Sequence, residues 1–123
     1  ELLDLSGNRL PRSPENTLNL SIAYTWDFTA GSLTSSLFYY WADEVYFSAF
    51  NRPDNSQEDY HRTDINVNFN SASGKWYVTG AARNLEDDEV ASERLLGDAT
   101  LGLSDTAQWN PPRTYTLAVG YYF

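Results

Sequence analysis

Apolar and polar residues alternate with period two along much of the chain, which is the pattern of strands with one apolar face. Over 16–28, Leu18, Leu20, Ile22, Tyr24, Trp26 and Phe28 share one face, and Thr17, Asn19, Ser21, Ala23, Thr25 and Asp27 share the other. A helix would scatter both sets around its axis. Residues 29–32 read as a tight turn. A second strand starts at Leu33, with Leu37, Tyr39 and Trp41 on its apolar face; it continues to about Phe50, losing strict alternation from Asp43. Polar loop 51–58 leads to a third strand over 59–70, with Ile65, Val67 and Phe69 opposite Arg62, Asp64, Asn66 and Asn68. A second tight turn, 71–74, precedes a strand from Lys75 with Trp76 and Val78 outward. A long loop over 85–112 leads into a last strand, Arg113–Phe123, in which Tyr115, Leu117, Val119, Tyr121 and Phe123 alternate.

Five such strands make the chain all-β and antiparallel, and their spacing indicates the setting. Short turns alternate with long loops, as in bacterial outer-membrane barrels with short periplasmic turns and long extracellular loops. A tilted membrane-spanning strand needs about 9–11 residues, which 18–28, 33–41 and 113–123 supply. Aromatic residues also collect beside the short turns. Trp26, Phe28, Phe69, Trp76, Tyr121 and Phe123 fall at one level, where an aromatic girdle suits the headgroup boundary. That level is then periplasmic, and the C-terminal strand ends there. Asp43 has outward parity but lies beyond the span on the long-loop side. A soluble β-sandwich or sugar-binding module would also alternate, but it has less reason to gather large aromatics at one common end of its strands.

Composition sharpens this reading in three places. The chain has 9 Tyr, 6 Phe and 4 Trp with neither Cys nor Met, and its mean hydropathy is −0.51. No run approaches the roughly 18 apolar residues of a spanning helix, which is uninformative for barrels because each strand is only half apolar. The formal charge of −9, from 17 acidic and 8 basic residues, opposes a nucleic-acid partner, since phosphates need a basic stripe. No nucleophile–base pair, phosphate loop or metal motif is present, so no enzyme activity and no cofactor are expected. Glu86, Asp87, Asp88, Glu89, Glu93, Asp98 and Asp105 lack EF-hand spacing and read as a solvated acidic loop. Trp109, beside Asn110-Pro111-Pro112, reads as a lock on the return into the last strand. His61 reads as an interfacial side chain.

Four short motifs resemble those of TonB-dependent outer-membrane receptors. They are Gly7-Asn8-Arg9-Leu10-Pro11 with Pro14, Tyr60-His61-Arg62-Thr63-Asp64, Trp76-Tyr77-Val78 continuing to Asn84-Leu85-Glu86-Asp87, and Pro112-Arg113 leading to Phe123. They occur in the family's order and end at the terminal strand. Gly80 stands where a larger apolar residue is usual, and Ala118 where a glycine often lies. The resemblance implies a 22-stranded barrel closed by an N-terminal plug, with residues 1–123 as its C-terminal segment of five strands. It further implies energised uptake of a scarce nutrient such as a ferric siderophore, cobalamin or an oligosaccharide, in the outer membrane of a Gram-negative bacterium. A passive porin or structural barrel is the alternative. Five strands cannot close a barrel, so the remaining strands and the plug become partners, with an energy-coupling complex acting through the plug. Outer-membrane lipid and lipopolysaccharide surround the wall. The barrel-assembly machinery would recognise Leu117, Val119, Tyr121 and Phe123 in the last strand. Phe38, Tyr40, Tyr46 and Tyr60 face inward on the long-loop side as candidates for ligand contact, and Arg62 and Asp64 are set to pair across strands or to hold the plug.

Overall fold

The first alternating run forms strand β1, Thr17–Phe28, and the second forms β2, Gly31–Ala42. β5 (Tyr60–Ser71), β6 (Trp76–Arg83) and β9 (Thr114–Tyr121) complete a five-stranded sheet in the order β1-β2-β5-β6-β9. The computed structural model describes residues 4–123. Chain order is therefore sheet order, the arrangement expected when strands are joined by up-and-down connections. β5 and β6 are antiparallel, with Val67 opposite Gly80 and Phe69 opposite Val78. β6 and β9 are antiparallel too, with Val78 opposite Val119 and Trp76 opposite Tyr121. β1 and β9 are the edges, and the sheet does not close on itself.

The residues divide into two compact units. The sheet unit holds Leu18–Tyr40, Arg62–Asp88 and Pro111–Phe123. Its short turns are tied together by backbone hydrogen bonds: the Ala72 amide donates to the Ala30 carbonyl at 2.9 Å, and the Tyr122 amide donates to the Lys75 carbonyl at 2.7 Å. Both turns and the end of β9 thus lie at one end of the sheet. Gly31 makes the first turn feasible. Its φ is +151°, and a Cβ there would run into the Asn70 carbonyl oxygen.

The two faces of this sheet differ in kind. Ile22 is 69% exposed, Leu117 75% and Val119 70%, and Leu18, Leu20, Tyr24 and Tyr115 are exposed as well. The opposite face pairs polar groups. The Thr25 and Thr34 hydroxyls lie 2.8 Å apart, and the Thr79 hydroxyl donates to Asn68 Oδ1 at 3.1 Å. Among the described residues the only buried apolar side chains are those of Ala42, Val90 and Ala91. A soluble sandwich would bury its apolar stripe between two sheets; this sheet turns it outward. No helix of the described residues is long and apolar enough to cross a membrane, which says nothing of a β-barrel.

The loop unit holds the residues up to Thr17, together with Trp41–His61 and Glu89–Asn110. The expected second strand ends at Ala42 instead of running to Phe50. Asp43 turns the chain by accepting the Glu44 amide at 2.8 Å, while its own amide donates to the Asn16 carbonyl. Short strand β3, Val45–Tyr46, then pairs with β4, Ser56–Gln57, around a 3-10 turn at Pro53–Asn55. The region expected as one long loop contains a hairpin of β7 (Ala91–Leu95) and β8 (Thr106–Trp109), with a bulge between Ala91 and Glu93 and a 3-10 turn at Ala99–Leu101. These short strands escaped the pattern because Glu93 and Arg94 interrupt alternation in β7, and four residues of β8 are too few to display it.

One interlock holds the last strand in register. Tyr77 stands opposite Gly120, and its ring fills the space that a Gly120 Cβ would need. The Tyr77 and Tyr122 rings lie 5.8 Å apart. Gly120→Ala is expected to destabilise the barrel by about 1–3 kcal/mol through overpacking. A double-mutant cycle with Tyr77→Ala, read by urea unfolding in lipid vesicles, checks the cause. The double variant should cost clearly less than the sum of the singles, whereas simple additivity would mean the ring does not occupy that space.

Candidate functional site

Three of the recurring motifs meet at the end of the sheet unit opposite the short turns. Arg62 grips Asp64 along the same strand face, Nε to Oδ1 and Nη2 to Oδ2, both at 2.9 Å. The pair therefore forms within β5, not across strands. Asp64 Oδ1 also accepts the Asn84 amide at 2.9 Å. Asn84 is buried with φ of +53°, a left-handed conformation that Asn tolerates better than most residues. Its Nδ2 donates to the Asp88 and Pro111 carbonyls, each at 3.2 Å.

Beyond Asn84 the chain keeps bonding to its neighbours. The Leu85 amide donates to the Thr63 carbonyl at 3.1 Å, and the Glu86 carboxylate accepts the Thr63 amide at 2.8 Å and the Thr63 hydroxyl. Asp87 Oδ1 accepts the Arg113 amide at 2.8 Å, and Arg113 Nη1 donates to the Leu85 carbonyl at 3.2 Å. Residues 62–64, 84–88 and 111–113 thus form one polar clamp across the ends of β5, β6 and β9. Its chemistry is that of hydrogen-bond closure: each acid or amide satisfies backbone groups the ladder leaves open.

The opening Gly7–Pro11 motif does similar work in the loop unit. Asn51, with φ of +49°, imitates a strand with its side chain: Oδ1 accepts the Arg9 amide at 2.5 Å, and Nδ2 donates to the Arg9 carbonyl at 3.1 Å. Asn8 Nδ2 donates to the Ala49 carbonyl at 2.8 Å, and the Arg12 amide to the Tyr46 carbonyl at 2.7 Å. The Arg9 guanidinium reaches Glu15 at 3.1 Å, Glu44 at 3.9 Å and Asp43 at 4.0 Å, and lies 6.0 Å from the Tyr46 ring centre. Arg12 pairs with Glu93. The Tyr46 hydroxyl donates to Glu44 at 3.0 Å, and that bond, helped by burial, raises the phenol above its ordinary pKa of 10.0.

The family model for TonB-dependent receptor-like β-barrels matches residues 2–85. The chain belongs to this family. Its fold is also that of the ferric yersiniabactin uptake receptor FyuA from Yersinia pestis, with a TM-score of 0.82 over 97% of the chain at 22% identity. The chain spans 18% of the length of that receptor. No curated protein matches. The five-stranded sheet is therefore a portion of a transmembrane receptor barrel wall.

The residues singled out from the sequence of this receptor segment fall as follows. Phe69 and Trp76 stack with ring centres 5.1 Å apart, and Tyr121 and Phe123 meet edge to face at 5.3 Å. Trp26 meets Tyr24 at 4.8 Å, and Phe28 is exposed next to the first turn. Leu117, Val119 and Tyr121 line one face of edge strand β9. Of the four candidate ligand aromatics, Phe38 and Tyr40 belong to the sheet unit, and Tyr46 and Tyr60 to the loop unit. Tyr46 is engaged by Glu44 and Arg9. His61 is exposed at the start of β5.

The acidic residues are more than a solvated stretch. Glu86 and Asp87 build the clamp, Glu93 pairs with Arg12, and Asp105 accepts the Gly97 amide at 2.8 Å. Trp109 is 49% exposed and ends β8 opposite Ala91. The neighbouring Asn110 amide donates to the Val90 carbonyl at 2.8 Å. Asn51 and the Tyr77–Gly120 interlock went unread in the sequence. The Asn51-Arg52-Pro53 turn composition was the available signal for the first.

Two outcomes test these assignments. Asn84→Ala should lower barrel stability by about 1–3 kcal/mol, since the Asp88 and Pro111 carbonyls both lose their donor. Asn84→Gly relieves the left-handed backbone but not the lost bonds, so it should recover part of that loss, on the order of 1 kcal/mol; unfolding midpoints in lipid vesicles give both values. The second concerns Asp98, whose carboxyl is held below its ordinary value of 3.8 by hydrogen bonds from the Thr100 hydroxyl and then the Thr100 amide. A lowered folded pKa stabilises the turn above the unfolded value, and that contribution is lost as pH falls through the folded one. Amide-exchange protection of Thr100 should therefore persist at pH 4 and disappear at lower pH, and Asp98→Asn should abolish the pH dependence.

Proposed function

We propose that residues 1–123 supply five adjacent strands of a larger outer-membrane receptor barrel that takes up a scarce nutrient with energy delivered through a plug. The observation that carries this reading is the pairing of an exposed apolar face with a polar face on a sheet with two open edges. In lipid every backbone N–H and C=O must find a partner, so both β1 and β9 require neighbouring strands. A barrel of 22 strands with an internal plug fits the family and the small share of the FyuA chain that this segment spans.

The remaining roles follow from that setting. The short turns face the periplasm, and Trp26, Phe28, Phe69, Trp76, Tyr121 and Phe123 form the girdle there. The long loops face the medium, with lipopolysaccharide around the wall. Alternate residues Leu117, Val119 and Tyr121 on β9, with Phe123 just beyond it, offer the assembly machinery side-chain specificity, while the strand edge offers backbone hydrogen bonds. FyuA is a ferric yersiniabactin uptake receptor, and energised uptake of this general kind is favoured here over a passive pore. Membership of a receptor family, not an enzyme family, fits the lack of catalytic motifs.

Ile22 is mid-strand on the apolar face of β1, and Ser21 lies on the other face. In the full-length receptor, Ile22→Arg should cost about 2–4 kcal/mol in lipid vesicles, as a cation at the bilayer midplane does. Ser21→Arg should cost much less. Equal effects, or a native protein fractionating outside the outer membrane, would reject the barrel orientation. Uptake that persists without the inner-membrane energy source would instead favour a passive pore.

A further inference from the structure

The apolar face of the sheet unit is not smooth. Between β1 and β2 it carries a hollow of about 450 Å³, lined by Leu20, Ser21 and Ile22 from one strand and Leu37 and Tyr39 from the other. Both walls lie within this segment, whatever strand pairs with the open edge of β1. None of the lining residues is charged. The volume is room for on the order of fifteen methylene groups, if each takes about the 30 Å³ that a water has in the liquid.

The position of the hollow points to one leaflet. Phe28 and Gly31 flank the first short turn; Ile22 and Leu37 stand six positions from them along the strands, and Leu20 and Tyr39 stand eight. At about 3.3 Å per residue and a tilt of about 45°, the hollow is about 14–19 Å from the turn along the membrane normal. An apolar band about 25 Å tall has its middle at about 12 Å, so the hollow lies in the half farther from the short turns. Along β1 its border is also higher on the short-turn side. There Tyr24 and Trp26 follow Ile22 on the same face, with their rings edge to face at 4.8 Å between centres. On the other side only Leu18, less exposed than Tyr24, remains on that face before the strand begins.

A hollow that nothing fills forfeits dispersion contacts all along its lining. A flexible apolar chain restores them and needs no polar partner. Lipid tails are as apolar as Leu, so the gain is packing rather than release of water, as it is between helices in a bilayer. The hollow is continuous with the exposed apolar side chains of β1 that face lipid, so an acyl chain is what meets it.

We propose that this hollow docks one acyl chain of an outer-leaflet lipid, the lipid A part of lipopolysaccharide, laid along β1 and β2 against Leu20, Ile22, Leu37 and Tyr39. The proposal rests on the barrel reading and its orientation, and adds one defined lipid contact to the wall. A phospholipid of the inner leaflet would have to reach past the middle of the band to fill the same space.

The test uses the full-length receptor, stripped of lipid in detergent and then exposed to lipid A, with bound lipid counted by native mass spectrometry. Leu37→Trp and Leu20→Trp fill the hollow from either wall, and each should lose one lipid A that the native receptor holds. Val119→Trp, on the same face of β9, should lose none. Heat-modifiable migration on gels confirms that each variant is a folded barrel. Phosphatidylethanolamine at equal concentration should not displace the lipid A. Equal lipid A counts in the native receptor and both filled variants overturn the proposal. Displacement by phosphatidylethanolamine also overturns it and assigns the hollow to phospholipid; a receptor dimer split by Leu37→Trp overturns it in favour of a second copy. A native receptor that fractionates outside the outer membrane would overturn the barrel reading itself.

Discussion

Backbone satisfaction in a medium without water is the constraint on which the rest of this segment depends. Each residue of a strand carries a donor and an acceptor, and hydrocarbon offers neither. The ladder β1-β2-β5-β6-β9 answers that demand along its interior strands, which leaves the side chains to divide by face. Leu20, Ile22, Leu117 and Val119 can then be exposed without an aqueous core, because lipid, not protein, is their apolar surroundings. The near-absence of buried apolar side chains among the described residues would be ruinous for a water-soluble domain of this size. Here it is the expected consequence of turning the protein inside out.

The same demand explains what the short family motifs are for. A strand that stops leaves amides and carbonyls without ladder partners, and at the end of the sheet unit opposite the short turns those groups are met by side chains. Asp64 takes the Asn84 amide, Glu86 takes the Thr63 amide, and Asp87 takes the Arg113 amide. Acids are apt for this because a carboxylate accepts several hydrogen bonds and the charge-assisted ones are strong. Asn51 plays the corresponding part for Arg9 in the loop unit. Residues that look like ligand or metal chemistry in a sequence therefore serve the backbone first. The excess negative charge of the chain is partly the residue of that architecture.

Much of the sheet was legible because period-two alternation is imposed by two different solvents on two faces. β1, β5 and β9 lie within one or two residues of the expected limits. Alternation fails as a guide where neither face meets lipid. At Asp43 the pattern blurred without announcing a strand end, since the turn depends on one side-chain bond to the Glu44 amide. The β7–β8 hairpin was illegible because its residues answer to local pairing and to Arg12, far away in sequence. Arg62 and Asp64 were read as set to pair across strands or to hold the plug; they pair with each other along β5, because residues i and i+2 share a face within reach of a side chain as long as arginine.

A loop region so heavily cross-bonded has a consequence for recognition. Arg9 gathers Glu15, Asp43 and Glu44, Arg12 reaches Glu93, and Gln57 fastens Ala91. Surface ion pairs taken singly contribute little, but all of these contacts except Arg9–Glu15 join segments separated by dozens of residues. Ordering such segments in advance removes entropy that a ligand would otherwise have to cover on binding. The loop unit then behaves as a preformed surface rather than a set of free arms. The side chains that hold this backbone together also make the loop unit acidic, since Glu15, Asp43, Glu44 and Glu93 together answer only two guanidiniums, those of Arg9 and Arg12.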